Sequence, residues 1–355
     1  IMTDNWLIFS DSENEKKPIP EEPKNVLFEK PVKHVETNPH CRQYVDANQI
    51  QPPELAVDIK SAEFRELKPD APQMQYRRRS NERKSVRFDK YLSSLLQLIE
   101  FFSQTPCRNV VCSRLFGFQN LYLVLLDLFP TLQFNVFEVF TKPAIQHDRV
   151  NYFNFAVTDP KSDQILSKLP EVCYIFEPFV PAQQLSVEES NSLFKQQLQL
   201  QIEHVNHVKP VSAMLNFQLP WSGEKLQFFA GKLMLPIYSM PTQSTAKLIL
   251  NKKEKEFELR EWDCKQFEEQ MFWFQNVHRC ELHKTVFKSD FSVFRGFDEC
   301  FDCCSCIHIM LKYLEQLGKD GLSQELELVV LYNKLLNSRP DEFGGQRRWE
   351  KRDKR

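Results

Sequence analysis

Short runs of bulky apolar residues, separated by helical stripes, set the first limit on how this chain folds. Asn109-Val110-Val111-Cys112, Phe134-Asn135-Val136-Phe137-Glu138 and Val172-Cys173-Tyr174-Ile175-Phe176 are each four or five residues long and mostly apolar. A strand that is apolar on both faces must be covered on both faces, as in a parallel sheet between two helical layers. Tyr91, Leu92, Leu95, Leu96, Leu98, Ile99 and Phe102 recur at helical spacing, and Leu121 to Leu128, Asp163 to Leu169 and Ser190 to Val208 read as further helices. Tyr152 to Ala156 and Val211 to Phe217 supply two more strands. Strand and helix alternate, so the expected class is α/β with a central, mostly parallel sheet.

Beyond Lys232 the pattern changes. Lys247-Leu248-Ile249-Leu250 against Glu256-Phe257-Glu258-Leu259 reads as a hairpin, and helices are predicted over 264–277, 307–317 and 324–336. The first 75 residues are of another kind. Pro18, Pro20, Pro23, Pro31, Pro39, Pro52 and Pro53 interrupt any helical period, and apolar islands such as Trp6-Leu7-Ile8-Phe9 stand apart. Such a segment cannot bury enough surface to fold alone. The expected organisation is an extended, partner-binding arm (1–75), an α/β domain (76–340) and a basic, flexible tail (341–355).

With 42% hydrophobic residues, 30 of them Phe, a chain of 355 residues has material for a real core. A net charge of −2 excludes bulk attraction to nucleic acid or membrane and leaves only local patches. Arg77, Arg78, Arg79, Arg83, Lys84 and Arg87 form the densest such patch, either a solvated helix start or a phosphate-contacting face. No run approaches the ~20 apolar residues of a membrane span. The ten cysteines follow no disulfide framework and no signal peptide is evident, so free thiols in a reducing compartment are expected. Cys300 and Cys303 have a zinc-like gap, which Cys280 and His283 would complete, but a second paired-ligand motif is missing. These thiols read instead as small packing residues, and no metal is expected. No motif of a serine or cysteine nucleophile is present.

From about Arg83 to Leu336 the order of segments resembles the poxvirus cap-specific nucleoside 2′-O-methyltransferases, a family whose members also serve as the small, processivity subunit of a viral poly(A) polymerase. The matches are Lys90-Tyr91-Leu92 at the first helix and Val110 to Gly117 at the strand and cofactor loop. Tyr174-Ile175-Phe176-Glu177, Leu215 to Trp221, Met234 to Leu248 and Phe294 to Tyr313 follow in the same order. The resemblance implies a Rossmann-like methyltransferase fold, a cytoplasmic, large-DNA-virus setting, a poly(A) polymerase catalytic subunit as protein partner, and contact with RNA.

It also implies where a site would lie. The family's Lys-Asp-Lys-Glu set falls on Lys90, Glu177, Asn216 and Ala246. A ribose hydroxyl is a poor nucleophile and needs such charges to ionise and orient it. Asn216 carries no charge and Ala246 orients nothing, so the set is broken. The methyl donor needs close backbone approach after the first strand, which glycine permits and side chains block. Ser113-Arg114-Leu115-Phe116 fill that turn and leave only Gly117. Glu138 stands where an acidic residue meets a ribose hydroxyl. Trp221 falls on a cap-stacking position, but acidic partners for the base edge are not evident and packing is the favoured reading. The expectation is a methyltransferase-like binding subunit without cofactor or catalysis. The alternatives are a divergent active methyltransferase or a structural subunit of a ribonucleoprotein or virion.

Overall fold

The structure is a computed structural model, and it describes residues 61–73, 89–115, 119–139, 145–179, 181, 185–239, 244–251, 257–282, 301–319 and 321–338. The strands are β1 (Asn109–Cys112), β2 (Gln133–Phe137), β3 (Val150–Phe153), β4 (Val172–Ile175), β5 (Ser212–Phe217), β6 (Lys225–Phe229), β7 (Lys232–Met234), β8 (Ala246–Asn251) and β9 (Leu259–Asp263). The helices of more than one turn are α1 (Lys90–Gln104), α2 (Gln119–Leu128), α4 (Val187–Val208), α5 (Cys264–Trp273), α6 (Phe301–Gln316) and α7 (Gly321–Asn337), with the single turn α3 (Asp163–Leu166) between β3 and β4.

Seven strands form one sheet in the order β3-β2-β1-β4-β5-β8-β7. β1, β2, β3, β4 and β5 are parallel, and β8 runs antiparallel between β5 and β7. The chain winds outward from β1 to β3, then returns to place β4 on the other side of β1. That reversal is a topological switch point, and in open α/β sheets ligands bind outside the carboxyl ends of the strands there. This is the Rossmann-like α/β fold with a central, mostly parallel sheet expected from the sequence.

Each central strand is buried along its length because helices cover both faces. α1 starts where the Asp89 carboxylate accepts from the Leu92 N–H at 2.9 Å, and buries Tyr91, Leu92, Leu95, Leu96 and Ile99 on the side shared with α6. α4 begins with a capping box, Ser186 and Glu189 exchanging side chain to backbone bonds, and ends at Lys209 in the left-handed region (φ 50°). Its His204 meets the Tyr174 hydroxyl of β4 at 2.6 Å.

The predicted hairpin does not form. β8 pairs with β5 and β7, whereas β9 pairs with β6 in a separate two-stranded sheet. The first segment is β8, but of the second only Leu259 enters a strand, at the start of β9, and alternating apolar residues carry no information about partner. Here β8 has Leu248 and Leu250 to bury in the main sheet, while β9 exposes Leu259 and Glu261 and buries Trp262 against Phe217. The helix predicted over 264–277 continues as a π-helical segment, Phe274–Leu282, whose Arg279 is buried in a bidentate pair with Asp302 of α6.

Residues 61–73, placed by sequence in the arm, pack on the domain itself. Leu67 N–H donates to Leu233 of β7 at 2.9 Å, and the Pro69 and Ala71 carbonyls accept from Gln270 of α5. Arg65 is fully buried (0% exposed) and grips Glu100 of α1 (5%) through Nε and Nη2 at 3.2 and 2.8 Å. Removing one member of such a pair leaves an uncompensated buried charge, at a cost of about 3–5 kcal/mol. Arg65→Ala should therefore lower stability in urea unfolding by that amount, and Arg65→Met combined with Glu100→Leu should recover most of it. A single variant as stable as the parent would show that the pair does not hold the segment.

Candidate functional site at the switch point

The carboxyl ends of β1, β2, β4 and β5 converge on one rim of the sheet. β8, running the other way, contributes its first residues to the same rim. At the β1 exit, Ser113 N–H donates to Ile175 of β4 at 3.2 Å, and the Ser113 hydroxyl accepts from the Glu177 N–H at 3.2 Å. The turn that would admit a cofactor backbone contact is thus used to tie β1 to β4. Gly117 lies outside the described residues.

Arg114 follows, and its Nη2 binds the Glu138 carboxylate beyond β2 at 2.9 Å. Its guanidinium also lies 5.3 Å from the ring centroid of Phe179, which is 55% exposed. The Phe179 carbonyl is held by Gln197 of α4 at 2.6 Å. Arg114, which the sequence marked only as bulk in the loop, therefore occupies Glu138.

Glu177 leaves the end of β4 toward Lys247, with Oε2 and Nζ 3.9 Å apart. The two side chains are 19% and 14% exposed. No hydrogen bond to Glu177 Oε2 is formed among the described residues. Burial pushes the Glu177 carboxyl up to about 7, although Lys247, Lys90 and Arg114 all pull it down. The same burial pushes the Lys247 ammonium down, opposed by Glu177.

The β5–β8 ladder decides which side chains meet at the rim. Asn216 is paired with Lys247 and Phe217 with Ala246. Directly opposed residues of an antiparallel pair share a face. Ala246 therefore lies with Phe217, on the face where Phe217 packs against Trp262 and Phe267, and not with the charged group. Lys247, and not Ala246, is the β8 residue that faces Glu177. Asn216 is itself pinned, its N–H donating to Gln201 Oε1 at 2.8 Å and its carbonyl accepting from Gln201 Nε2 at 3.0 Å. Gln201 of α4 thus satisfies the backbone of β5 where β4 departs from it.

Of the sequence candidates, Lys90, Glu177, Asn216 and the neighbour of Ala246 come together, Ser113 joins them through the Glu177 N–H, and Glu138 is met by Arg114. Trp221 is 39% exposed, meets Phe194 of α4 edge to face at 5.8 Å and has its N–H bound by Asn191. Arg77, Arg78, Arg79, Arg83, Lys84 and Arg87 lie outside the described residues, as do Cys300 and His283. Cys303, Cys304 and Cys306 are buried in α6, and no group of His, Cys, Asp or Glu among the described residues is placed to hold a metal ion. Nor is any described helix long and apolar enough to cross a membrane.

Comparisons add little to this geometry. No family model matches the sequence, and no curated protein does. Among solved structures, the chain is similar to VP4 of bluetongue virus, described as a multifunctional RNA-capping production line. That likeness has a TM-score of 0.40 and 11% identity, and covers 62% of this chain and 39% of that one. The chain spans well under half the length of VP4, and a likeness this distant does not bear on function.

Glu177 gives a stability test. A carboxyl raised above its unfolded value holds its proton longer in the folded state, so stability falls as pH rises from the ordinary Glu value of 4.5 through about 7. Glu177→Gln should remove that loss. It should be more stable than the parent at pH 8, by on the order of 2 kcal/mol, and nearly equal at pH 4.5. Thermal unfolding at the two pH values checks this, and a pH-independent difference would refute the assigned shift.

Proposed function

We propose that this chain is a methyltransferase-fold binding subunit of an mRNA-processing complex that does not itself transfer methyl groups. The Arg114–Glu138 ion pair carries the reading. In doubly wound folds an acidic residue beyond the second strand holds the ribose hydroxyls of an adenosine cofactor. Here that carboxylate already accepts a charge-assisted bond, and a ribose would have to displace it. The Ser113 bridge to Glu177 closes the adjoining turn.

The reacting end supports the same reading. Ionising a ribose hydroxyl calls for a charge set that takes its proton and steadies the alkoxide. Lys90, Glu177, Asn216 and Lys247 offer two cations and one carboxylate, and that carboxylate is half protonated near neutrality. By its sequence resemblance, the complex would be one of polyadenylation in a virus-infected cytoplasm, with a poly(A) polymerase catalytic subunit as partner and RNA as the shared ligand.

One observation favours the alternative of a divergent active methyltransferase: Lys247 restores, from β8, a lysine missing from β5. Calorimetric titration with S-adenosylmethionine decides between them. The proposal expects no binding at millimolar cofactor in the parent, and a weak gain in Arg114→Gly, which frees Glu138. Micromolar binding by the parent would overturn it and direct attention to methyl transfer onto capped RNA.

A further inference from the structure

We infer that the chain's own amino-terminal arm docks on the domain, with Pro52-Pro53 seated against the exposed rings of Phe179 and Trp221 at the carboxyl rim of the sheet. This contact lies outside the proposed function, since it concerns the arm and not the methyl donor. β4 ends at Ile175 and β5 at Phe217, so two neighbouring strands deliver Phe179 and Trp221 to the same rim. Both loops are tied by their backbone to the first half of α4. Gln197 Nε2 donates to the Phe179 carbonyl at 2.6 Å, and the Trp221 N–H donates to Asn191 Oδ1 at 2.8 Å. Those two anchors lie about 9 Å apart along the helix axis. Phe194, between them in sequence, meets Trp221 edge to face at 5.8 Å, and Lys195 holds Glu224 in the turn behind it. The rings themselves stay uncovered, 55% and 39% exposed, and Val187 of the same helix is 52% exposed. Two aromatic rings and an aliphatic neighbour, fixed in place before anything binds, make an aromatic-lined surface of the kind that takes proline.

The arm before Ser61 lies outside the described residues, but the residues that follow show where it enters. β7 is antiparallel to β8, and β8 to β5, so β7 ends at the same rim as β4 and β5. Residues 65–67 run opposite to β7. The Leu67 N–H donates to Leu233, Glu66 bridges Met234 in the antiparallel sense, and the Leu235 N–H donates to the Arg65 carbonyl at 2.8 Å. Arg65 thus lies just past the carboxyl end of β7, where its buried pair with Glu100 anchors it. The preceding chain comes from the rim that carries the two rings.

Reach and composition choose the segment. Across β8 and β5, β4 is three strand spacings from β7, about 14 Å. The eight residues from Pro53 to Ser61 span up to about 26 Å when extended, enough to cross that width and climb to the rings. Pro52-Pro53 is the one pair of consecutive prolines in the sequence. Such a pair favours the polyproline II conformation, which aromatic grooves bind with little further loss of chain entropy. Pro39, the next proline back, would close a loop more than twice as long and at a greater entropic cost. Docked this way, the arm covers Trp221 against any other stacking partner.

The test uses the full chain with p-benzoylphenylalanine in place of Val187, which leaves both rings intact. Irradiation and peptide mapping should link position 187 to the peptide containing Pro52-Pro53, and Pro52→Asp combined with Pro53→Asp should abolish that link. In a mixture of isotopically light and heavy chains, only peptides of equal label should be joined. Mixed-label links would assign the surface to the arm of a second copy and overturn docking within the chain, as would links to other segments or none at all. A fluorescent synthetic peptide of residues 48–60 gives a second measurement by anisotropy. A tethered arm competes at an effective concentration on the order of millimolar, so the peptide should bind the Pro52/Pro53 variant roughly tenfold more tightly than the parent. Phe179→Ala and Trp221→Ala, each checked by thermal unfolding, should remove that difference. Equal binding to parent and Pro52/Pro53 variant would also overturn the proposal.

Discussion

The antiparallel ladder between β5 and β8 is the constraint on which the site depends. In a sheet whose other central strands all end at one rim, a reversed strand begins there, and its first side chains are delivered among their last ones. Register then fixes identity. Because side chains alternate along a strand, one residue of slip exchanges Lys247 for Ala246 and turns a charged site into an apolar one. The slip is forbidden by packing. Ala246, Leu248 and Leu250 are buried on one face, and opposite Ala246 the ring of Phe217 is already engaged by Trp262, Phe228 and Phe267. A lysine has no place among those rings, so the apolar layer on one face of the sheet dictates the charge presented on the other.

This interdependence explains which parts were legible in the sequence. Apolar runs such as Val110 to Cys112 and Val172 to Phe176 announce buried parallel strands, and the stripe from Tyr91 to Phe102 announces the helix above them. Fold class follows from those patterns because burial on two faces has few solutions. Partner choice is another matter. β6 and β9 lie thirty residues apart and are brought together by aromatic packing, which leaves no local periodicity. Which of Ala246 and Lys247 meets Glu177 was hidden for the same reason, since matching residues along a chain does not record which face they occupy. Arg114 was visible as a side chain too large for a glycine turn, but its engagement with Glu138 needed β1 and β2 side by side.

Segments that are not part of the regular layers are held by buried ion pairs. Arg65 fixes residues 61–73 to α1 through Glu100, and Arg279 fixes the π-helical segment to α6 through Asp302, with Ser239 and Gln275 accepting its remaining donors. Such pairs contribute little net stability over apolar packing, yet they penalise every arrangement that leaves one partner alone. Their value here is in position. Residues 61–73 cover β7 and run along α5, while α6 carries Asp302 to the Tyr238 N–H, next to the backbone bond between Tyr238 and Asp89 that precedes Lys90. The start of α1 at Lys90 is thereby tied to α6 through Tyr238.

The two ends of the candidate site obey a single logic. Ser113 and Arg114 close the turn after β1, because a hydroxyl and a guanidinium fill space that glycine would leave open. Arg114 also pairs with Glu138 while lying near Glu177. On the other side of the switch point, Lys247 from β8 stands 3.9 Å from the same Glu177. The shape of the turn after β1 and the charges at the rim are, in this fold, set by the same few side chains.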